Sequence, residues 1–189
     1  MTSDDRSTGD AAGAPAVGRE EFVRAMSQHV ASVCVVTTGL HGRRFGLTAT
    51  AVSSVCLTPP RVLACVNKSG LTHGAICEAG HFCINVLGED QEHLAKLFAG
   101  LSSGTADRFA GGKWTTLVTG SPVLCGATAA FDCRIAGKAD QPTHTVFFGD
   151  VLGTALSPGQ DPLLYGARRF RQLRKAYSGA ASLDDALYL

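Results

Sequence analysis

Apolar and polar positions alternate in a way that predicts mostly strands with a few short helices. Residues 20–30 carry Phe22, Met26 and Val30 at four-residue spacing, which predicts an amphipathic first helix. Residues 32–38 (S-V-C-V-V-T-T) predict a strand, and 39–42 (G-L-H-G) a turn. Residues 45–60 (F-G-L-T-A-T-A-V-S-S-V-C-L-T-P-P) begin like a strand, continue in small and hydroxylated residues, and stop at a double proline. The near-continuous apolar run 61–66 predicts a strand buried on both faces. It ends in Asn67-Lys68-Ser69-Gly70, and residues 71–79 predict a short helix closed by Gly80. A strand over 81–87, a helix over 90–99, and a loop over 100–112 carrying Asp107-Arg108-Phe109 follow. Residues 114–118 are short and strand-like. Alternation resumes over 123–135, a turn is predicted over 137–143, and a long last strand over 144–156. Beyond Pro162 a basic run (Arg168, Arg169, Arg171, Arg174, Lys175) reads as a partner for phosphates or, by preference, as the solvated face of a C-terminal helix. The set predicts a mainly β protein, a β-barrel with peripheral helices. A doubly wound α/β sheet would need regular helical crossovers, which the pattern lacks.

Composition narrows this picture. The 189 residues suit one domain, with 45% hydrophobic and 17% charged residues. A formal net charge of +1 gives no reason to expect nucleic acid or an anionic membrane. No apolar run reaches the roughly 18 residues of a membrane span. Residues 1–18 lack the basic and apolar regions of a secretion signal, so a disordered tail and a cytoplasmic protein are expected. Seven cysteines, an odd number and mostly inside apolar runs, read as reduced, small hydrophobes. Cys77, His81 and Cys83 straddle a helix-to-strand turn without a nearby fourth ligand, so a structural reading is favoured over a metal site.

Several positions invite a chemical reading. Thr48, Ala49, Thr50, Ala51, Ser53 and Ser54 form a ledge of small side chains that leaves the backbone near the surface. A flat ligand with polar edges suits such a ledge, as does plain packing beside a small-residue helix. Asn67, Lys68, Ser69 and Thr72 sit at a strand-to-helix turn, where free N–H groups, hydroxyls and an ammonium make either a phosphate cradle or an ordinary cap. Asn85 is an amide on an apolar strand, either satisfied internally or touching a ligand edge. Asp107-Arg108-Phe109 reads as a lid, an interface or a solvated loop with a packed Phe. His144 opens the last strand, as a substrate contact or a strand-end residue. No Rossmann, P-loop, zincin or nucleophile-elbow motif is present.

In order along residues 20–173, the segments G-L-T-A-T-A-V-S-S-V-C-L-T-P-P-R-V-L-A-C-V-N-K-S, T-H, F-C-I-N-V-L, W…G-S-P-V-L, F-D-C-R-I, H-T-V-F-F-G-D-V and P-L-L-Y resemble the short-chain flavin reductases. These are the reductase components of two-component flavin-dependent monooxygenases. The resemblance implies an FMN-binding split β-barrel over residues 19–176, with tails at 1–18 and 177–189, usually a homodimer. It implies reduction of FMN or FAD by NADH or NADPH, with reduced flavin supplied to a separate oxygenase. By motif match, Thr48, Ala49, Thr50 and Ala51 would lie along the isoalloxazine edge, with Ser53 and Ser54 near the ribityl chain. Asn67, Lys68, Ser69 and Thr72 would lie near the phosphate, Asn85 on the other side, and His144 near the nicotinamide. Pro142-Thr143 replaces the family's Gly-Asp before that histidine, and Leu47 replaces a common Met. A flavin carrier without turnover, and an oxidase of the pyridoxamine-phosphate type on a related barrel, are the competing expectations.

Overall fold

The computed structural model describes residues 16–101 and 107–173. Helix α1 (Arg19–Met26) leads into β1 (Ala31–Ser32), β2 (Cys34–Leu40), β3 (Arg43–Ala49), β4 (Val52–Leu57) and β5 (Pro60–Asn67). Helix α2 (Leu71–Ala79), β6 (His81–Val86) and α3 (Glu92–Phe98) follow. The chain then forms β7 (Trp114–Thr116), β8 (Pro122–Leu124), β9 (Ala129–Asp140), β10 (His144–Leu156), β11 (Leu164–Gly166) and β12 (Arg169–Arg171).

Seven strands form one antiparallel sheet in the order β3-β2-β6-β9-β10-β5-β4. Its two edge strands, β3 and β4, are consecutive in the chain and joined only by Thr50 and Ala51. Laid flat, a sheet of seven strands would separate its edges by about 29 Å, at about 4.8 Å per neighbour. A two-residue link spans roughly 10 Å at most. The sheet must therefore curl until its edges nearly meet, and the bond from the Cys65 N–H to the Ala51 carbonyl (2.9 Å) carries the β4–β5 ladder into the link.

Closure explains the burial along β2, where Cys34 to Thr38 are all buried. Alternate residues point to opposite faces. Cys34 and Val36 join Ala64, Val66, Phe82, Ile84 and Phe147, a core fed by all seven strands and plugged by Ile76 of α2. Val33 and Val35 join Leu87, Leu94, Phe98, Phe109 and Leu163 on the outer face, under α3.

Several expectations need correction. The β2–β3 turn is only His41-Gly42, both at positive φ, as a two-residue hairpin requires. The small-residue stretch is two strands broken at Thr50-Ala51. The turn expected over 137–143 is largely strand: β9 runs to Asp140, and Gly137 lies beside a register shift in the β9–β10 ladder. The run 123–135 is interrupted by Gly126 at φ 82. The basic segment is not helical where described. Ala167 and Arg168 take positive φ and turn β11 back onto β12, and β11 also pairs with β1. Arg174, Lys175, the C-terminal tail and residues 1–15 of the N-terminal tail lie outside the described residues. The first helix stops at Met26, and none of its residues is buried.

Candidate active site

The ledge follows from the seam. Thr48 and Ala49 end β3 half-buried, while Thr50 and Ala51 are exposed where the chain crosses to β4. A bulky side chain here would obstruct the space between the edges. Thr48, Ala49 and Thr50 wall a cavity of about 380 Å³ that faces Tyr165 and Phe170 of the β11–β12 hairpin. Thr48 also reaches a second groove of about 680 Å³, which carries Asn67, Ser69 and Thr72 on its other bank. The Thr48 hydroxyl donates to the Ala95 carbonyl of α3 at 2.7 Å, which fixes the ledge to the outer helix. Ser53 and Ser54 lie farther on, exposed on β4, with the Ser53 hydroxyl 3.2 Å from the Ser54 carbonyl.

Start of α2 forms the anion-holding corner. The Asn67 side chain accepts from the Ser69 N–H at 2.8 Å, folding the turn back on itself. Gly70, the residue before the helix, supplies no side-chain cap. The first N–H groups of α2 thus meet the groove without a side chain over them, where an anion is favoured. Gly46, on the β3 bank, lets the Phe98 ring of α3 pack against the strand: a Cβ there would lie 2.7 Å from a ring carbon. A phosphorylated flat ligand fits this donor set, with its anionic end at Ser69 and the helix start and its ring toward Thr48.

Two expected phosphate ligands are committed elsewhere. The Thr72 hydroxyl is buried and donates to the Gly46 carbonyl at 3.1 Å, so its backbone N–H faces the task alone. The Lys68 ammonium sits 3.2 Å from Asp140. Asp140 also accepts from the Thr145 hydroxyl at 2.7 Å; that bond, with Lys68, holds its carboxyl below the ordinary range. Thr145 has one proton and gives it to Asp140, so His73, with Nε2 at 2.9 Å from the same oxygen, must donate. His73 is therefore neutral or doubly protonated with Nε2–H present. Burial, then the Lys68 charge, lowers its pKa against the opposing pull of Asp140.

Asn85 is corrected outright: it is fully buried and its amide is spent inside the protein. Its nitrogen donates to the carbonyls of Val35 (3.1 Å) and Pro122 (3.4 Å) and to Thr37 Oγ1 (3.2 Å). Its oxygen accepts from the Leu124 N–H at 2.7 Å. Nothing remains for a ligand edge. His144 does come close to the cradle: it pairs with Asn67 across β10–β5, and its Nδ1 lies 2.8 Å from Thr143 Oγ1.

The structure adds Arg43 and Arg44, which the sequence reading passed over, and these join the groove wall with Arg108. Arg44 bonds Asp107 at 2.9 Å and stacks over the Phe109 ring at 4.6 Å. Phe109 is packed against Phe98 and Trp114, so the Asp107-Arg108-Phe109 segment is a packed wall of the groove. The available signal was the basic pair Arg43-Arg44 at the head of the strand that becomes the ledge. Among the described residues, no three His, Cys, Asp or Glu side chains converge as metal ligands.

Known proteins are similar to this chain in sequence and in fold. The family model for the flavin reductase like domain matches residues 26–174. The FMN reductase (NADH) RutF of Ancylobacter novellus is 43% identical over 166 residues, covering 88% of this chain and 91% of that protein. The crystal structure of nitrilotriacetate monooxygenase component B from Mycobacterium thermoresistibile superposes with a TM-score of 0.79 at 31% identity, over 88% of this chain and 93% of that one. The NADH:FAD oxidoreductase SgcE6 of Streptomyces globisporus C-1027, in complex with NAD and FAD fragments, gives 0.76 at 31% identity, over 88% and 100%. A closed sheet, a small-residue seam and an open helix start thus coincide with a match over most of the chain, and the chain belongs to the flavin reductase like domain family.

Proposed function

We infer that this protein is an NADH-dependent flavin oxidoreductase, reducing FMN or FAD with hydride from the nicotinamide. The observation that carries the reading is the meeting, at Thr48, of a small-residue ledge with a groove that ends on an uncapped helix start. Ser69 and the first N–H groups of α2 hold the phosphate. Thr48, Ala49, Thr50 and Ala51 offer backbone and short hydroxyls along the ring edge, and Ser53 and Ser54 line the approach to it. When both cofactors are bound, nicotinamide and isoalloxazine supply the hydride transfer themselves. The chain's own contribution is position: a ledge pinned to α3 and a corner pinned to β10 leave little freedom to whatever lies between. Asn67 shapes the corner, and Lys68 adds a cation whose charge Asp140 partly offsets. His144, beside Asn67, borders the space left for the nicotinamide.

The product is passed to a separate monooxygenase; component B of nitrilotriacetate monooxygenase and the styrene monooxygenase flavin reductase, both similar to this chain, are named for such systems. The working unit is a single domain over residues 19–176 acting as a cytoplasmic homodimer. Seven free thiols suit a reducing compartment. The exposed Phe22 and Met26 of α1, together with Val30, offer an apolar face for a second copy. No helix among the described residues is long and apolar enough to cross a membrane.

The deciding experiment is steady-state NADH oxidation with FMN and FAD in turn, with NADPH as comparison. Oxidation that saturates with added flavin is expected. Retention of bound flavin without NADH consumption would overturn the reading in favour of a carrier.

A further inference from the structure

Asn67 and Ser69 line the phosphate groove, whereas the Lys68 side chain between them points to the end of β9. Its ammonium lies 3.2 Å from Asp140 Oδ1, and its backbone N–H donates to the Thr143 carbonyl at 3.0 Å. The same carboxylate oxygen accepts from the hydroxyl of Thr145, the residue opposite Asp140 in the β9–β10 ladder, at 2.7 Å. Thr145 is fully buried, and its oxygen in turn accepts from His73 Nε2 of α2 at 2.9 Å. The carboxylate is therefore oriented from behind by a buried hydroxyl that an imidazole holds in place.

Of the charges that act on His73, Lys68 and Lys138 are positive and Asp140 alone is negative. One carboxylate thus offsets the cation that adjoins Ser69. The far bank of the groove repeats the pattern, with Arg44 held by Asp107 at 2.9 Å. Lys68 and Asp140 are both solvent-accessible, so their pairing adds little to stability. It decides more at the groove, because an ammonium committed to a carboxylate is withheld from a phosphate. Released, the flexible four-carbon stem would let the ammonium swing toward the Ser69 side, since residue 68 is itself part of the turn.

We propose that Asp140 sets the affinity for flavin: oriented by Thr145 and His73, it keeps Lys68 off the flavin phosphate and so loosens the grip of the corner. Asp140, Thr145 and His73 act through Lys68 as positioning residues and do not touch the flavin. The proposal rests on the flavin-reductase reading and deepens it, because a flavin that must depart once reduced is served by a corner that holds it lightly.

The test is titration of the full-length protein with FMN, followed by flavin fluorescence, in a double-mutant cycle. Asp140→Asn should lower the FMN Kd about fivefold, or about 1 kcal/mol, the scale of one exposed charge pair. Riboflavin, which lacks the phosphate, should show no such gain. In a Lys68→Ala background the same substitution should change the FMN Kd by less than about twofold. Thr145→Val, which unties the carboxylate, should give part of the gain, and Thr145→Ser, which keeps the hydroxyl, should give none. Weaker or unchanged FMN binding in Asp140→Asn would overturn the proposal. Equal tightening with and without Lys68, or equal tightening of riboflavin, would also overturn it, since the effect would then not pass through the ammonium and the phosphate. A lowered urea midpoint in Asp140→Asn with FMN affinity untouched would leave the pair a purely structural role. Failure of the underlying reading looks different: the unaltered protein and every variant would bind no FMN.

Discussion

Ser69 is the side chain in the cradle with the fewest competing commitments. Ser69→Ala should raise the flavin KM several-fold while lowering kcat by less, since a phosphate contact is remote from the reacting ring. Initial rates across flavin concentrations check this, and equal losses in both parameters would argue against the cradle. Asn85 belongs to a different class of residue. Asn85→Ala would strand the Leu124 N–H and open a small void, costing about 2–4 kcal/mol in denaturant unfolding. Turnover per folded molecule should stay near normal, which a ligand contact would not allow. Sequence alone held both options for Asn85, because an isolated amide on an apolar strand says nothing about which neighbours it meets. Its partners come from β2 and from β8, 37 to 50 residues away.

At the scale of elements, the strands were legible because the alternation was strong. Turns were read less well wherever glycine meant a bulge and not a reversal, as at Gly137 beside the β9–β10 register shift. The basic segment after Leu164 looked helical from its charges; its positive-φ turn at Ala167-Arg168 leaves no trace in residue type. The elements also carry a pH dependence. His73 on α2 and His81 on β6 both titrate below the ordinary 6.5 in the fold. As pH falls through 6.5, the unfolded chain binds protons on these rings before the native state does, so stability declines. The decline ceases once each native ring has titrated at its own lower value. Urea midpoints between pH 7.5 and 5 should drop accordingly, with a shallower slope in His81→Gln.

For the whole molecule, one sheet closed on itself sets which thiols meet solvent. Burial pushes Cys34 and Cys133 up to about 12, with Asp132 and Asp150 adding to the effect at Cys133, and it raises Cys83 as well. Cys77 and Cys125 are exposed. A disulfide reagent added to the native protein should modify Cys77 and Cys125 quickly, and the three buried thiols only on unfolding; peptide mapping distinguishes them. Cys125 lies in an apolar run, as most of the cysteines do, yet it is exposed, and the chain turns at Gly126. The ledge and the cradle were each readable as short segments. Their adjacency was not, since it depends on the sheet's curvature bringing residue 48 beside residue 69.

The Thr50-Ala51 link has one more implication. It acts as a clasp: so short a tether dictates the width of the slot that the two margins enclose. Lengthening it with three glycines after Thr50 would loosen the clasp without deleting any side chain that touches a cofactor. Amide protection on β6, β9 and β10 should survive this insertion while flavin turnover collapses, because the scaffold would persist and its aperture would no longer be gauged.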